Sequence, residues 1–118
     1  MVNSRQKGAR GERELASVLR EEGWIGAMRG QQRSGCEQAD VVGGPAGVHW
    51  EVKRVERLLL AKAVEQARRD ARPGEVPIVA HRRSQEPWLA TLDLKVLLRL
   101  LAWAEAAGVD LALVEAQP

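Results

Sequence analysis

The sequence predicts an α/β fold in which a central mixed β-sheet is flanked by helices, formed by one domain over residues 1–118. Three observations predict it. Stretches with apolar residues three and four apart alternate with short β-branched runs, in the order α-β-β-β-α-β-β-α. A chain of 118 residues, 45% hydrophobic and 29% charged, suits one packed domain and not a disordered polymer. Residues 40–55 read as two strands around a turn, with polar and apolar side chains alternating.

Taken in order, residues 6–22 form the first helix. Leu15, Ala16, Val18 and Leu19 make its inner stripe, and Gly23 stops it. Residues 24–29 make a short strand, and the polar segment 30–39 a loop. Asp40-Val-Val, a turn at Gly44-Pro-Ala-Gly47 and a strand through Val55 make the hairpin. Residues 58–72 form the second helix, with Leu60, Ala63, Val64, Ala67 and Ala71 facing inward, ended by Pro73-Gly74. Val76–His81 and Trp88–Leu92 are the remaining strands. Asp93 caps a last helix over 94–107, which Gly108 ends, and residues 109–118 are a tail.

No apolar run approaches the ~20 residues that span a bilayer, and the N-terminus turns polar at once, so neither a membrane span nor a signal peptide is expected. The single Cys36 excludes an intrachain disulfide and a multi-cysteine zinc site. The expected compartment is the cytoplasm. The net charge of +2 conceals opposed segments. Residues 1–35 carry seven Lys/Arg against four acids, residues 36–51 three acids and no Lys/Arg, and residues 52–83 nine Lys/Arg against four acids. Residues 84–118 carry two against five. Fourteen of the 18 cations are Arg, the better bidentate phosphate ligand, which fits a polyanionic partner.

If the turn at Gly44–Gly47 is symmetric, it sets Asp40 opposite Glu51, on one face with Lys53, while Val41, Trp50 and Val52 face the core; a bulge would shift that register. Facing carboxylates repel unless a cation compensates, and Mg2+ prefers carboxylate and water oxygens. The alternative is a solvated hairpin face partly neutralised by Lys53. Glu12 lies one turn before Leu15 and Ala16, at the end of the inner stripe, where a carboxylate needs a partner. Glu14 and Glu21 fall off that stripe. A third acid near Asp40 and Glu51 would complete a metal site. The alternative for Glu12 is a first-turn acid stabilised by the helix dipole.

Lys7-Gly-Ala-Arg-Gly-Glu12-Arg13-Glu-Leu, Gly23-Trp, Arg29…Arg33-Ser34-Gly35, Ala39-Asp40-Val-Val and Glu51-Val-Lys53 occur in this order. Together they resemble the archaeal-type Holliday junction resolvases and their phage relatives, members of the PD-(D/E)XK nuclease superfamily. Ala39 stands where the superfamily pattern has Pro, a position that does no chemistry. The resemblance implies a restriction-endonuclease-like fold and a Mg2+-dependent (or Mn2+-dependent) endonuclease that cuts branched DNA. It implies that Asp40, Glu51 and the Val52 carbonyl hold the ion, and that Glu12 joins them through a water or a second ion. Lys53 would orient or deprotonate the attacking water. Lys7, Arg13, Arg29, Arg33 and Ser34 would contact DNA, and Gln66 on the second helix would support the site.

Lys62, Arg68, Arg69 and Arg72 read as a solvated helix face or a DNA track, as do Arg82 and Arg83. His49, His81 and the four Trp residues read as structural. The helix 94–107 carries two apolar stripes, Leu94/Leu97/Leu98/Leu101 and Val96/Leu100/Trp103/Ala107. A surface helix needs one, so the second predicts a homodimer interface, which suits a two-fold DNA junction needing two symmetric nicks. The competing functions are a nuclease for a flap, fork or restriction-like target, and a non-catalytic DNA-binding protein on the same fold.

Overall fold

The computed structural model describes residues 4–30 and 39–118, with side chains in the first helix from Gly8 onward. The elements are α1 (Ser4–Glu21), β1 (Met28–Arg29), β2 (Val41–Val42), β3 (Val48–Arg54), α2 (Leu60–Asp70), β4 (Val76–Arg82), β5 (Leu89–Thr91), α3 (Leu94–Ala106) and α4 (Leu111–Glu115). The sheet order is β1-β2-β3-β4-β5. Among the described residues only the β3–β4 pairing, the one bridged by a helix, is parallel. This is the expected mixed α/β sheet.

The two sheet faces receive different helices. Leu15, Ala16 and Leu19 of α1 bury against Ala27, Val41, Val52 and Ala80, with Trp50 and Trp88 packed alongside. Ala63 and Ala67 of α2 bury against Val79, with Leu58 and Val64 beside them. Val79 and Ala80 are neighbours on one strand and point to opposite layers, as strand geometry requires. Gly11 lets α1 approach β3 closely: a Cβ there would lie 2.9 Å from Arg54 Cβ. The expected stripe of α2 holds at Ala63 and Ala67, but Leu60 is exposed.

Several boundaries differ from expectation, three of them with a consequence for the fold. The strand expected over 24–29 shrinks to Met28–Arg29, because the chain first turns: the Trp24 and Ala27 amides donate to Leu19 and Trp24 carbonyls at 3.0 Å each. The second helix is shorter at both ends than 58–72. The tail contains α4, whose Asp110 side chain accepts from the Ala112 amide at 3.0 Å.

Asp93 caps α3 as expected, accepting from the Lys95 amide at 2.9 Å. Gly108, at φ +78°, closes the helix. Its amide reaches the Glu105 carbonyl and that of Val109 reaches Ala104, the paired bonds of a left-handed C-terminal stop. Neither α3 nor α4 contains a buried residue. Among the described residues, no helix is long and apolar enough to cross a membrane.

Candidate active site

The site grows from the β2–β3 hairpin. Val41 pairs with Trp50, the register expected for a turn at Gly44–Gly47. Gly43 makes the approach to that turn feasible. Its φ is +81°, and a Cβ there would meet the Gly26 carbonyl oxygen. Val41 and Val52 are buried and Trp50 is half-buried, so the apolar side of the hairpin faces α1 as expected.

Just before β2 the backbone departs from a simple ladder. The Asp40 amide donates to the Trp50 carbonyl at 3.1 Å, so Asp40 and Val41 both sit against Trp50, in the manner of a bulge. The Asp40 carboxylate crosses to β3 and accepts from the Val52 amide at 2.8 Å. It thereby stands beside Glu51, as expected, though through a side-chain bridge and not through direct opposition.

Glu51 is buried, with 3% exposure. Burial, reinforced by the Asp40 charge, pushes its carboxyl up to about 7, and the Lys53 ammonium only partly opposes this. Lys53 Nζ lies 3.6 Å from Glu51 Oε2 and donates to Gln66 Oε1 at 3.3 Å. Asp40, Glu51, the Val52 backbone, Lys53 and Gln66 are therefore contiguous. A crowded, partly desolvated carboxylate pair beside one lysine fits a hard divalent cation, which takes oxygen donors and would relieve the repulsion.

Glu12 takes a different partner. Its Oε2 accepts from Arg29 Nε at 2.7 Å. Among the described residues, no three His, Cys, Asp or Glu side chains converge at metal-ligand spacing. The expected trio is thus two acids together and one apart. The physical reason is layering: Glu12 rides on α1, which packs on the Val52 face of β3, whereas Glu51 and Lys53 face α2. Arg13 is exposed on α1. The Lys7 side chain, Arg33, Ser34 and Cys36 lie outside the described residues.

Glu14 is the residue that sequence reasoning missed. It was expected off the inner stripe, yet it joins three arginines: Arg54 at 2.8 Å, Arg82 at 3.4 Å and Arg10 at 3.5 Å. The available signal was the spacing Gly11, Glu14, Val18, a second stripe along the side where α1 comes closest to β3.

His81 bonds Thr91 Oγ1 at 2.9 Å, and burial lowers its pKa. His49 is buried beside the site; its Nε2 and Trp50 Nε1 lack hydrogen-bond partners among the described residues. Lys62, Arg68, Arg69 and Arg72 are exposed, and Arg68 lies 3.6 Å from Asp93.

A five-stranded mixed sheet with α1 and α2 on opposite faces is the restriction-endonuclease-like arrangement of the PD-(D/E)XK superfamily. Within that class, the model of the archaeal Holliday junction resolvase (hjc) family matches residues 3–91, and the chain belongs to that family. No curated protein and no solved structure matches it. The family match ends with β5, so α3 and α4 lie beyond it.

Proposed function

We propose that this protein is a Mg2+-dependent, structure-selective endonuclease. It acts in the cytoplasm as a homodimer and resolves four-way Holliday junctions by paired symmetric nicks. Membership of the resolvase family supports branched DNA as substrate. The observation that carries the catalytic reading is the Asp40–Glu51 pair beside Lys53.

In this reading Asp40, Glu51 and the Val52 carbonyl hold Mg2+, or Mn2+ in its place, and Glu12 joins through a water or a second ion. A divalent cation held there lowers the pKa of the attacking water and neutralises charge on the attacking and leaving oxygens. The protein's own residues do the rest. The Val52 amide fixes the Asp40 carboxylate toward Glu51. Gln66 accepts one Lys53 ammonium hydrogen and Glu51 attracts the charge from 3.6 Å, leaving the other hydrogens for the attacking water or a phosphate oxygen. Lys7, Arg13, Arg29, Arg33 and Ser34 contact DNA. Their targets are phosphates and branch shape, so affinity falls steeply with salt. Dimerisation runs through the helix 94–107, whose two apolar stripes include the exposed Leu94, Leu97, Leu98, Leu100, Leu101 and Trp103.

The test is a cleavage panel of four-way, flap, fork and linear DNA with each strand labelled separately. Symmetric paired nicks confined to the four-way junction, with Mg2+ present, support the proposal. Cleavage of a flap, fork or linear target instead transfers the site to another DNA structure. Binding without cleavage in both Mg2+ and Mn2+ leaves a non-catalytic DNA-binding protein. Asp40→Asn and Glu51→Gln abolish cleavage while junction binding survives; full activity in either variant overturns the site.

A further inference from the structure

The C-terminal arm, α3 with α4, is built for more contact than one partner helix supplies. Ten of its large apolar side chains are exposed, with Trp103 reaching 80%. Together they offer on the order of 1,000 Å² of surface. That matches the ~800 Å² that each partner brings to a standard interface. A helix apolar on two faces must be buried on two faces. Pairing α3 with its copy covers one stripe and leaves the other wet.

A second apolar surface lies on the nuclease body. A groove of about 320 Å³ is lined by Leu58, Leu60, Pro87 and Leu89, with Arg82 and Arg83 among its charged neighbours. Leu60 and Leu89 are exposed. Glu86 also lines the groove and pairs with Arg83 at 3.7 Å, and Arg82 is paired with Glu14 at 3.4 Å, so apolar surface and not charge makes the match.

A chain's own arm is badly placed to fill its own groove. Leu89, at the groove, pairs with His81, whereas Thr91 pairs with Val79, so β5 leads away from the groove. The root of the arm is then held at Asp93 by Arg68 at 3.6 Å. Arg68 lies two turns along α2 from Leu60, about 12 Å at 1.5 Å per residue. Only Leu92 separates β5 from that helix-capping, ion-paired residue.

We propose that the groove receives α3 of a second copy, in a reciprocal exchange of arms about the two-fold axis. One stripe of each α3 enters the partner's groove and the other meets the partner's α3. The exchange rests on the homodimer proposed above, and uses a segment outside the family match to build its interface.

The test uses the full-length chain. Leu89→Asp, in the groove, and Leu98→Asp/Leu100→Asp, one on each stripe, are compared with wild type by sedimentation equilibrium, with circular dichroism to check folding. All three positions are solvent-exposed, so the core is untouched. Expected is a rise of about tenfold or more in the dimer dissociation constant for both variants. In a Cys36→Ser background, Leu89→Cys combined with Leu98→Cys or Leu100→Cys should then give an interchain disulfide. A dimer weakened by the arm variant but not by Leu89→Asp overturns the groove assignment and leaves the homodimer standing. A link within one chain, or none from either pair, overturns the exchange. A monomeric wild type overturns the homodimer itself.

Discussion

Lys53 on β3 donates to the side-chain oxygen of Gln66 on α2 at 3.3 Å, so the helix after the hairpin holds the lysine of the site. The bond crosses between elements and fixes an ammonium that Glu51 alone, at 3.6 Å, would leave to swing. Gln66→Leu should therefore lower kcat roughly 10- to 100-fold, the cost of a misplaced catalytic group, with little change in KM. Single-turnover cleavage of a four-way junction measures it. An equal loss in junction affinity would show that Gln66 holds DNA and not Lys53.

Glu51 makes a prediction about stability without metal. Its carboxyl is raised from 4.5 to about 7, first by burial and then by Asp40. Between these values the folded protein keeps a proton that the unfolded chain has released. Its contribution to stability is full below pH 4.5 and is lost as pH rises through 7, a change on the order of 3 kcal/mol. In EDTA, wild type should lose Tm across this window relative to Glu51→Gln, whose side chain cannot ionise. Millimolar Mg2+ should restore the wild type at pH 8 and leave Glu51→Gln unmoved. Parallel Tm profiles for the two proteins would contradict the burial of an ionisable Glu51.

The hairpin was legible in the sequence for a physical reason. A strand has a period of two, so Val41, Trp50 and Val52 on one side leave Asp40, Glu51 and Lys53 on the other. The capped ends of α3 were legible because Asp93 and Gly108 act locally. What depends on packing was not. Whether Glu12 reaches the other acids depends on how α1 lies across the sheet, and there it meets Arg29. The side-chain bridge from Asp40 to Val52 needs a local departure from the ladder, which no residue pattern announces.

The spacing could show the stripe that holds Glu14 but not its partner, because its tie to Arg54 joins residues 40 apart. The same carboxylate meets Arg82, so it clamps α1 to both β3 and β4. Arg54 is largely buried, and losing Glu14 leaves it without its charge partner. Glu14→Gln should cost roughly 2 kcal/mol, read by urea unfolding. Glu14→Gln combined with Arg54→Met should be less destabilised than the two single variants summed, because the unpaired charge is gone. Simple additivity would mean that the pair contributes nothing.

Arg13 and Arg29 are both proposed DNA contacts, but they start from different states. Arg13 is exposed on α1, while Arg29 is already paired with Glu12 at 2.7 Å. A phosphate gains the whole charge of Arg13, whereas it must compete with Glu12 for Arg29. Arg13→Ala should therefore lower the slope of log affinity against log salt by about one for duplex arms. Arg29→Ala should lower it by less, because that cation is partly neutralised before DNA arrives. Junction binding between 50 and 200 mM salt, the range of ~10³–10⁵-fold change for several phosphate contacts, separates the two variants. Equal slopes for both would mean that the Glu12–Arg29 pair opens fully when DNA binds.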